Sequence, residues 1–146
     1  MQMRVLVING PNLNLLGERE PGVYGTMTLQ EIEGIIRSEA NRLGAEVSFL
    51  QSNSESEITS AIHEAREKFD GILINPASFT HYSVAIADAI GAIKIPVVEV
   101  HISNILAREE FRARSITARA CRGVITGFGP LSYILGLHAL KHILCE

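Results

Sequence analysis

The stretch RVLVINGPNLNLLGEREPGVY, residues 4–24, decides the fold, because a run of four branched apolar residues ends abruptly in a polar, glycine-rich segment. Apolar residues without polar alternation are typical of a strand buried on both faces, as in a parallel sheet covered by helices. Asn9-Gly10-Pro11 ends this strand. The chain then leaves from the carboxyl end of the strand, the edge where open α/β sheets bind their ligands.

The segment after this strand is too long for a simple connection. About sixteen residues precede the next predicted helix, whereas such connections are typically about 2–6 residues long. It carries the amides Asn12 and Asn14, the cation Arg19 and the phenol Tyr24, with glycines that allow bending. One interpretation is a solvated surface loop. We favour the other, a mobile lid at about residues 17–26 that carries chemistry.

Composition limits the classes of protein that fit. The 146 residues suit a single domain, residues 1–146, and a net charge of -3 without a basic cluster argues against nucleic-acid partners. Cys121 and Cys145 have no CxxC or metal spacing, which predicts a reduced, cytoplasmic protein whose thiols fill the core. No signal-peptide pattern precedes the first strand, and no apolar stretch approaches the roughly 20 residues of a membrane span. No membrane partner is therefore expected.

The rest of the chain alternates predicted helices and strands. Capping-box patterns at Thr28–Glu31 and Ser54–Glu57 predict two helix starts, and further helices are predicted over residues 80–90 and 130–144. Apolar strand centres near residues 6, 48, 73, 98 and 125 are spaced by about one βα unit. With right-handed crossovers, this spacing predicts an α/β fold: a doubly wound five-stranded parallel sheet of order 2-1-3-4-5 with helices on both faces.

In that topology the residues after strands 1, 3 and 4 face one crevice. Glu99 and His101 are two residues apart on the fourth strand, so their side chains point to the same face. A carboxylate beside an imidazole fixes the tautomer and favours the imidazolium, which predicts His101 as a general acid. The alternative is a structural histidine paired with a glutamate at the sheet edge.

Two further groups follow the fourth strand. Ile102 and Ser103 offer backbone N–H groups and a hydroxyl that can hold an anion such as a carboxylate, although Ser103 also fits an ordinary turn. Residues 104–112 are predicted to form a short helical patch with Arg108 and Arg112 four apart on one face. Such patches are commonly solvated and ion-paired.

The cations gain importance from the phenol in the predicted lid. Ionising a free tyrosine at pH 7 costs about 4 kcal/mol. One guanidinium about 4 Å away, at an effective dielectric of about 20, contributes roughly that much. Tyr24 is therefore a candidate general base, with Arg19, Arg108 and Arg112 as candidate cations.

Motifs for cofactors and metals are missing or incomplete. Residues 10–17 lack the Lys-Ser/Thr of a Walker loop, and Gly127 and Gly129 have no third glycine at dinucleotide spacing. His138 and His142 have metal-compatible spacing, but without a third ligand they more commonly complement a helix dipole. We expect neither a metal nor a cofactor.

These residues closely resemble the type II 3-dehydroquinate dehydratases, from about Val5 to Leu140. The most specific stretches are NGPNLNLLGEREPGVYG at 9–25, QSN at 51–53, INP at 74–76 with TH at 80–81, EVHISN at 99–104 and AREEFR at 107–112. The resemblance implies a flavodoxin-like fold and a small-molecule substrate. It implies dehydration of 3-dehydroquinate to 3-dehydroshikimate, in the shikimate or quinate route, by anti elimination through an enolate without metal or cofactor. It also implies a homododecamer built as a tetramer of trimers.

The resemblance further implies a role for each matching residue. Tyr24 would remove the C2 proton with help from Arg19 and Arg108, and His101, oriented by Glu99, would protonate the departing C1 hydroxyl. The other matches concern binding: Asn12 for the enolate oxygen, Asn75, Ile102 and Ser103 for the substrate carboxylate, His81 and Arg112 for ring hydroxyls, and Asp88 for a neighbouring subunit's site.

The chain departs from the family pattern mainly outside these residues. Ala77-Ser78-Phe79 stands where Gly-Ala-Tyr is common, and further departures include Tyr82, Ala87, Leu106 and Ile116. We expect them to affect affinity, lid behaviour and assembly more than the reaction. Two rival functions remain: a flavodoxin-like module that binds a flavin or nucleotide, and an assembled relative without catalysis.

Overall fold

The computed structural model describes residues 2–146 and contains a five-stranded parallel sheet in the order β2-β1-β3-β4-β5. The predicted strand order is confirmed. The strands are β1 Met3–Asn9, β2 Ala45–Gln51, β3 Gly71–Asn75, β4 Val97–His101 and β5 Gly123–Thr126. The helices are α1 Pro21–Tyr24, α2 Leu29–Arg42, α3 Glu55–Lys68, α4 Val84–Ala92 and α5 Leu131–Leu144.

The interior strand β1, which lies between β2 and β3, contributes side chains to the core on both faces of the sheet. Val5 and Val7 pack into a cluster with residues of α2 and α5, while Leu6 and Ile8 pack into the opposite cluster with residues of α3 and α4. Successive side chains of a strand point to opposite faces, so a strand covered on both sides must be apolar at every position. The helices therefore lie on both faces of the sheet, as predicted.

The predicted capping signals work differently at the two helix starts. At α2 the Thr28 hydroxyl accepts from the Glu31 backbone N–H at 3.2 Å, and Glu31 Oε1 accepts from the Thr28 N–H at 3.1 Å, which completes the capping box. At α3 the Ser54 hydroxyl accepts from Glu57 N–H at 3.1 Å. The Ser54 N–H, however, donates to the Ser52 hydroxyl, so the second half of the predicted box comes from the preceding loop.

Two helix predictions were wrong, one in its first residue and the other in its type of helix. The helix predicted over 80–90 begins only at Val84, because residues 77–81 form a 3₁₀ turn and Ser83 caps the helix by accepting from Ile86 N–H. The helical patch predicted over 104–112 consists of two 3₁₀ turns, Ile105–Ala107 and Glu110–Arg112. Arg108 lies between them in extended conformation, which interrupts the helix.

Two further observations concern the thiols and membranes. Cys121 is half-buried, but Cys145 is exposed just beyond α5, so the prediction that both thiols fill the core was wrong for Cys145.

Within residues 2–146 no helix combines the length and apolar character that crossing a membrane requires.

Candidate active site

A cleft opens at the carboxyl edge of the sheet, where the segments after β1, β3 and β4 converge. It encloses about 600 Å³ of empty space, part of it open to solvent. Ten of the twelve predicted site residues line it, namely Asn12, Arg19, Tyr24, Asn75, His81, His101, Ile102, Ser103, Arg108 and Arg112. The predicted convergence of these three segments therefore agrees with the structure.

The Tyr24 phenol is held between two cations. Arg108 Nη1 donates to the Tyr24 hydroxyl at 2.7 Å, and Arg19 Nη2 donates to the same oxygen at 3.3 Å. Both guanidinium groups also lie against the Tyr24 ring, with Cζ 4.4 Å (Arg19) and 5.2 Å (Arg108) from its centroid. Negative charge on the Tyr24 oxygen would be stabilised by both groups.

The position of Tyr24 depends on a short helix in the segment between β1 and α2. The turn Pro21–Tyr24 begins after Glu20, a residue with φ of 35°, and Gly25 follows it with φ of 81°. Glu20 Oε2 lies 3.9 Å from Arg108 Nη2, so an ion pair joins the segment after β1 to the segment after β4. Because Glu109 lies 3.8 Å from Arg108 as well, two carboxylates offset part of the positive charge beside the phenol.

His101 lies at the end of β4 and lines the same cleft. Its Nε2 is 2.8 Å from Glu99 Oε2, and both side chains are almost completely buried. The predicted pairing of residues two apart on one strand is therefore present. With Nε2 engaged by Glu99, Nδ1 is the ring nitrogen left to serve the cleft.

Glu99 itself lies behind the cleft and accepts from two hydroxyls. Ser115 Oγ donates to Glu99 Oε2 at 2.8 Å, and Thr117 Oγ1 donates to Glu99 Oε1. Sequence reasoning missed Ser115 and Thr117, since they follow β4 by 14 and 16 residues in a segment without regular periodicity.

A second buried network lies beneath Asn75. Its Nδ2 donates to the Tyr133 hydroxyl at 2.9 Å, and that hydroxyl donates to Asn9 Oδ1 at 2.6 Å. Burial raises the pKa of the Tyr133 phenol, so the group stays protonated and can donate. Asn75 Oδ1 accepts from the Ala77 N–H at 3.1 Å, which fixes the direction of the amide. Sequence reasoning also missed Tyr133, which looks like an ordinary core aromatic of α5.

The remaining polar lining is anchored to backbone or to neighbouring side chains. Asn12 adopts a left-handed conformation with φ of 69°, and its N–H donates to Asn53 Oδ1 at 3.0 Å. His81 Nδ1 lies 2.9 Å from the Arg114 carbonyl oxygen. Arg112 Nε donates to Glu109 Oε2 at 2.8 Å, and this bond lowers the pKa of Glu109.

Two predicted residues lie outside the cleft. Glu99 supports His101 from behind, and Asp88 is exposed on α4 in a shallow groove with Ala87, Ile116 and Arg119. Asp88 is thus not brought to the cleft of its own chain. Its predicted contact with a neighbouring subunit's site stays a prediction.

Across residues 2–146, no group of three or more His, Cys, Asp or Glu side chains is arranged to hold a metal ion. The two histidines of α5 with metal-compatible spacing are instead paired with carboxylates, His138 with Glu39 at 2.6 Å and His142 with Glu146 at 2.9 Å.

Together, these observations define an α/β protein of flavodoxin-like topology with a polar cleft at the carboxyl edge of its sheet. A family model described as "Dehydroquinase class II" matches residues 3–141. The chain belongs to this family.

Individual relatives agree with the family match. The 3-dehydroquinate dehydratase of Caldanaerobacter subterraneus subsp. tengcongensis is 59% identical over 140 residues, which cover 96% of this chain and 95% of the relative. That of Rhizobium johnstonii is 57% identical over 143 residues, covering 98% and 99% of the two chains. The crystal structure of type II dehydroquinase from Butyrivibrio crossotus superimposes with a TM-score of 0.94 at 44% identity, covering 96% of this chain and 98% of that one.

Proposed function

We propose that this chain dehydrates 3-dehydroquinate to 3-dehydroshikimate, with Tyr24 as general base and His101 as general acid. Membership of the dehydroquinase family supports the reaction. One observation carries the assignment of roles. The Tyr24 hydroxyl, bonded by Arg108 and Arg19, and the Glu99-paired His101 line the same cleft.

In the proposed first step, Tyr24 as phenolate removes a proton from substrate C2, and the C–H electrons move into an enolate. Ionising a tyrosine at pH 7 costs about 4 kcal/mol, and one guanidinium about 4 Å away at an effective dielectric of about 20 returns roughly that much. Arg108 and Arg19 bond to the phenol oxygen at 2.7 and 3.3 Å, so two cations support this charge. We assign the developing enolate oxygen to Asn12, which lines the cleft.

In the second step, the enolate expels the C1 hydroxyl, which leaves as water after taking a proton from His101. The Glu99 carboxylate 2.8 Å from His101 Nε2 stabilises the imidazolium before the transfer and fixes the ring orientation. Base and acid acting on opposite faces of the substrate give overall anti elimination. Both groups then recover their original protonation states through solvent.

The binding residues complete the proposal. Asn75, with Ser103 and the backbone of Ile102, would hold the substrate carboxylate at the end of β3 and β4. His81 and Arg112 on the cleft wall would hold ring hydroxyls. The lid at about residues 17–26 would close over the substrate and exclude water, within one catalytic domain of residues 1–146.

We further propose a homododecamer built as a tetramer of trimers, with Asp88 contributing to a neighbouring subunit's site. Support comes from the groove of small and apolar residues around Asp88 and from Val84, which is 58% exposed on the same helix. A mass near 190 kDa in solution, twelve copies of the 15.9 kDa chain, is expected. A monomeric mass would contradict this assembly. The cytoplasmic location stays a prediction from cysteine usage.

Two substitutions test the reaction and the roles together. Tyr24→Phe and His101→Ala should each lower kcat by about 100-fold or more, because each removes a proton-transfer group. Ultraviolet absorbance of the conjugated enone product, followed with a chelator present, measures the rate. If the parent protein forms no enone, the proposed reaction is wrong. If it is coloured by a bound flavin, the rival binding module gains support.

Matched controls separate lost chemistry from lost structure. Tyr82→Phe removes a hydroxyl from a side chain that is 58% exposed and does not line the cleft, and His63→Ala removes an exposed imidazole on α3. Both should retain parental rates, and circular dichroism should be unchanged in all four variants. Near-parental turnover in Tyr24→Phe or His101→Ala would refute the assigned role.

A further inference from the structure

Glu99 is a carboxylate completely buried in the middle of β4. Burial disfavours the ionised form of a carboxyl group unless hydrogen-bond donors or a cation compensate for the lost water. A protonated Glu99 would give His101 a neutral partner and so would not stabilise an imidazolium. The ability of His101 to act as an acid therefore depends on what keeps Glu99 charged.

Two hydroxyl groups from the segment between β4 and β5 supply donors to this carboxylate. Thr117 Oγ1 donates to Glu99 Oε1, and Ser115 Oγ donates to Glu99 Oε2 at 2.8 Å. Together with His101 at 2.8 Å, both carboxylate oxygens are engaged. Hydrogen bonds to the charged form favour that form.

The local backbone holds both hydroxyls in place. The Ala118 N–H donates to Ser115 Oγ at 2.9 Å, so the hydroxyl hydrogen of Ser115 is free to point at Glu99. The Ile116 N–H donates to the Thr80 carbonyl oxygen at 2.9 Å, which ties the segment to the turn after β3. Thr117 is completely buried, so water does not compete for its hydroxyl.

Neither hydroxyl belongs to the cleft. The residues that line it include His101 but not Ser115, Thr117 or Glu99. The Cys121 thiol also lies close to this group and donates to the Thr117 carbonyl oxygen at 3.4 Å. Burial and the charge of Glu99 raise the pKa of this thiol, so Cys121 stays neutral and adds no second anion.

We propose that Thr117 and Ser115 are positioning residues for the acid step: they hold Glu99 ionised and fix its carboxylate plane against His101 Nε2. The inference rests on the proposed role of His101. Without the hydroxyls, the Glu99 carboxylate would be less well stabilised and less well oriented, and His101 would be less able to protonate the leaving hydroxyl. Substrate binding would be unaffected, because neither residue lines the cleft.

Thr117→Val, Thr117→Ser and Ser115→Ala test this inference. Thr117→Val removes a hydrogen bond to a buried charged group, so kcat should fall by about 10- to 100-fold. KM should stay within about twofold of the parent value. Thr117→Ser keeps the hydroxyl and should retain kcat within about threefold. Ser115→Ala should lower kcat by about 10-fold, since Oε2 keeps its bond to His101. Nitrogen-15 NMR of the imidazole should register less imidazolium in Thr117→Val at neutral pH.

The order of the two Thr117 variants separates positioning from packing. Valine preserves the volume of threonine, whereas serine leaves a small cavity, so a merely structural role predicts that Thr117→Ser is the worse variant. Equal or reversed kcat values would overturn the proposal, as would unchanged kcat in Thr117→Val. Should Thr117→Val not fold, Ser115→Ala decides by the same kcat criterion. Full activity of His101→Ala would instead refute the proposed role of His101, and a parent protein that forms no enone would refute the proposed function itself.

Discussion

Replacing Arg108 tests the electrostatic argument at its strongest contact. The Arg108 guanidinium donates to the Tyr24 hydroxyl at 2.7 Å and is only 14% exposed, so solvent screens it weakly. A unit charge about 4 Å away at an effective dielectric of about 20 stabilises a phenolate by about 4 kcal/mol. The carboxylates of Glu20 and Glu109, 3.9 and 3.8 Å from the guanidinium, offset part of this stabilisation. Arg19 remains beside the phenol when Arg108 is replaced.

We therefore expect Arg108→Met to lose about 3 kcal/mol of phenolate stabilisation, which corresponds to a kcat lower by roughly 100-fold. Arg108→Lys keeps the charge but loses the planar group that also reaches Ser103 at 3.5 Å, so about a 10-fold loss is expected. Arg19→Met should cost less than Arg108→Met, since its bond to the phenol is longer, 3.3 Å. The rate of enone formation gives kcat and KM for each variant.

The matched control is Arg66→Met. Arg66 is an exposed cation on α3. Within residues 2–146 its guanidinium makes one hydrogen bond, to the backbone oxygen of His63, so its loss should leave kcat unchanged. If Arg108→Met keeps more than a tenth of parental kcat, the charge of Arg108 is not what supports the base. If Arg108→Lys is as slow as Arg108→Met, geometry matters more than charge.

Three further predictions concern stability. Hydrogen bonds from Arg42 and, to a lesser extent, His138 lower the pKa of Glu39 from 4.5 to about 2, so the stabilisation by its carboxylate is present above about pH 4.5 and lost as pH falls through 2. In urea unfolding, the loss of unfolding free energy in Glu39→Gln should therefore be largest near pH 6 and shrink toward pH 2. A loss that is independent of pH would contradict this prediction. Ala77 has φ of 53°, a left-handed conformation that costs most residues about 1 kcal/mol, so Ala77→Gly should raise Tm by about 2–4 °C, and a lower Tm would count against strain there. A Cβ at Gly10 would lie 2.4 Å from a backbone oxygen after β3, so Gly10→Ala should lower Tm and activity together, whereas parental values would mean that the strand ends separate freely.

Local pattern accounts for much of the fold. The uninterrupted apolar run of β1 indicated a strand buried on both faces, because alternate side chains of such a strand each need an apolar environment. The Thr28 and Glu31 pair indicated the start of α2, since capping uses residues three apart. The predicted extents of helices were wrong where no local signal marks them. Arg108 is extended between two turns, although its neighbours have helical spacing.

The candidate site divides in the same way. Glu99 and His101 were predictable as partners because the two-residue period of a strand places them on one face, and their contact is 2.8 Å. Tyr24 and Arg108 were predictable only as members of one crevice. Their 2.7 Å bond joins residues 84 apart, and it depends on how the segment after β1 packs against the segment after β4.

By itself, the sequence determined the strands, their order and the edge of the sheet at which chemistry would be found, because these follow from short-range periodicity and the handedness of crossovers. Only the tertiary structure decided which hydroxyls reach Glu99. It also decided that the Tyr133 hydroxyl links Asn75 to Asn9, although Tyr133 and Asn9 are 124 residues apart in the chain. Such contacts depend on side-chain packing between distant segments, and no local spacing encodes the distance between them.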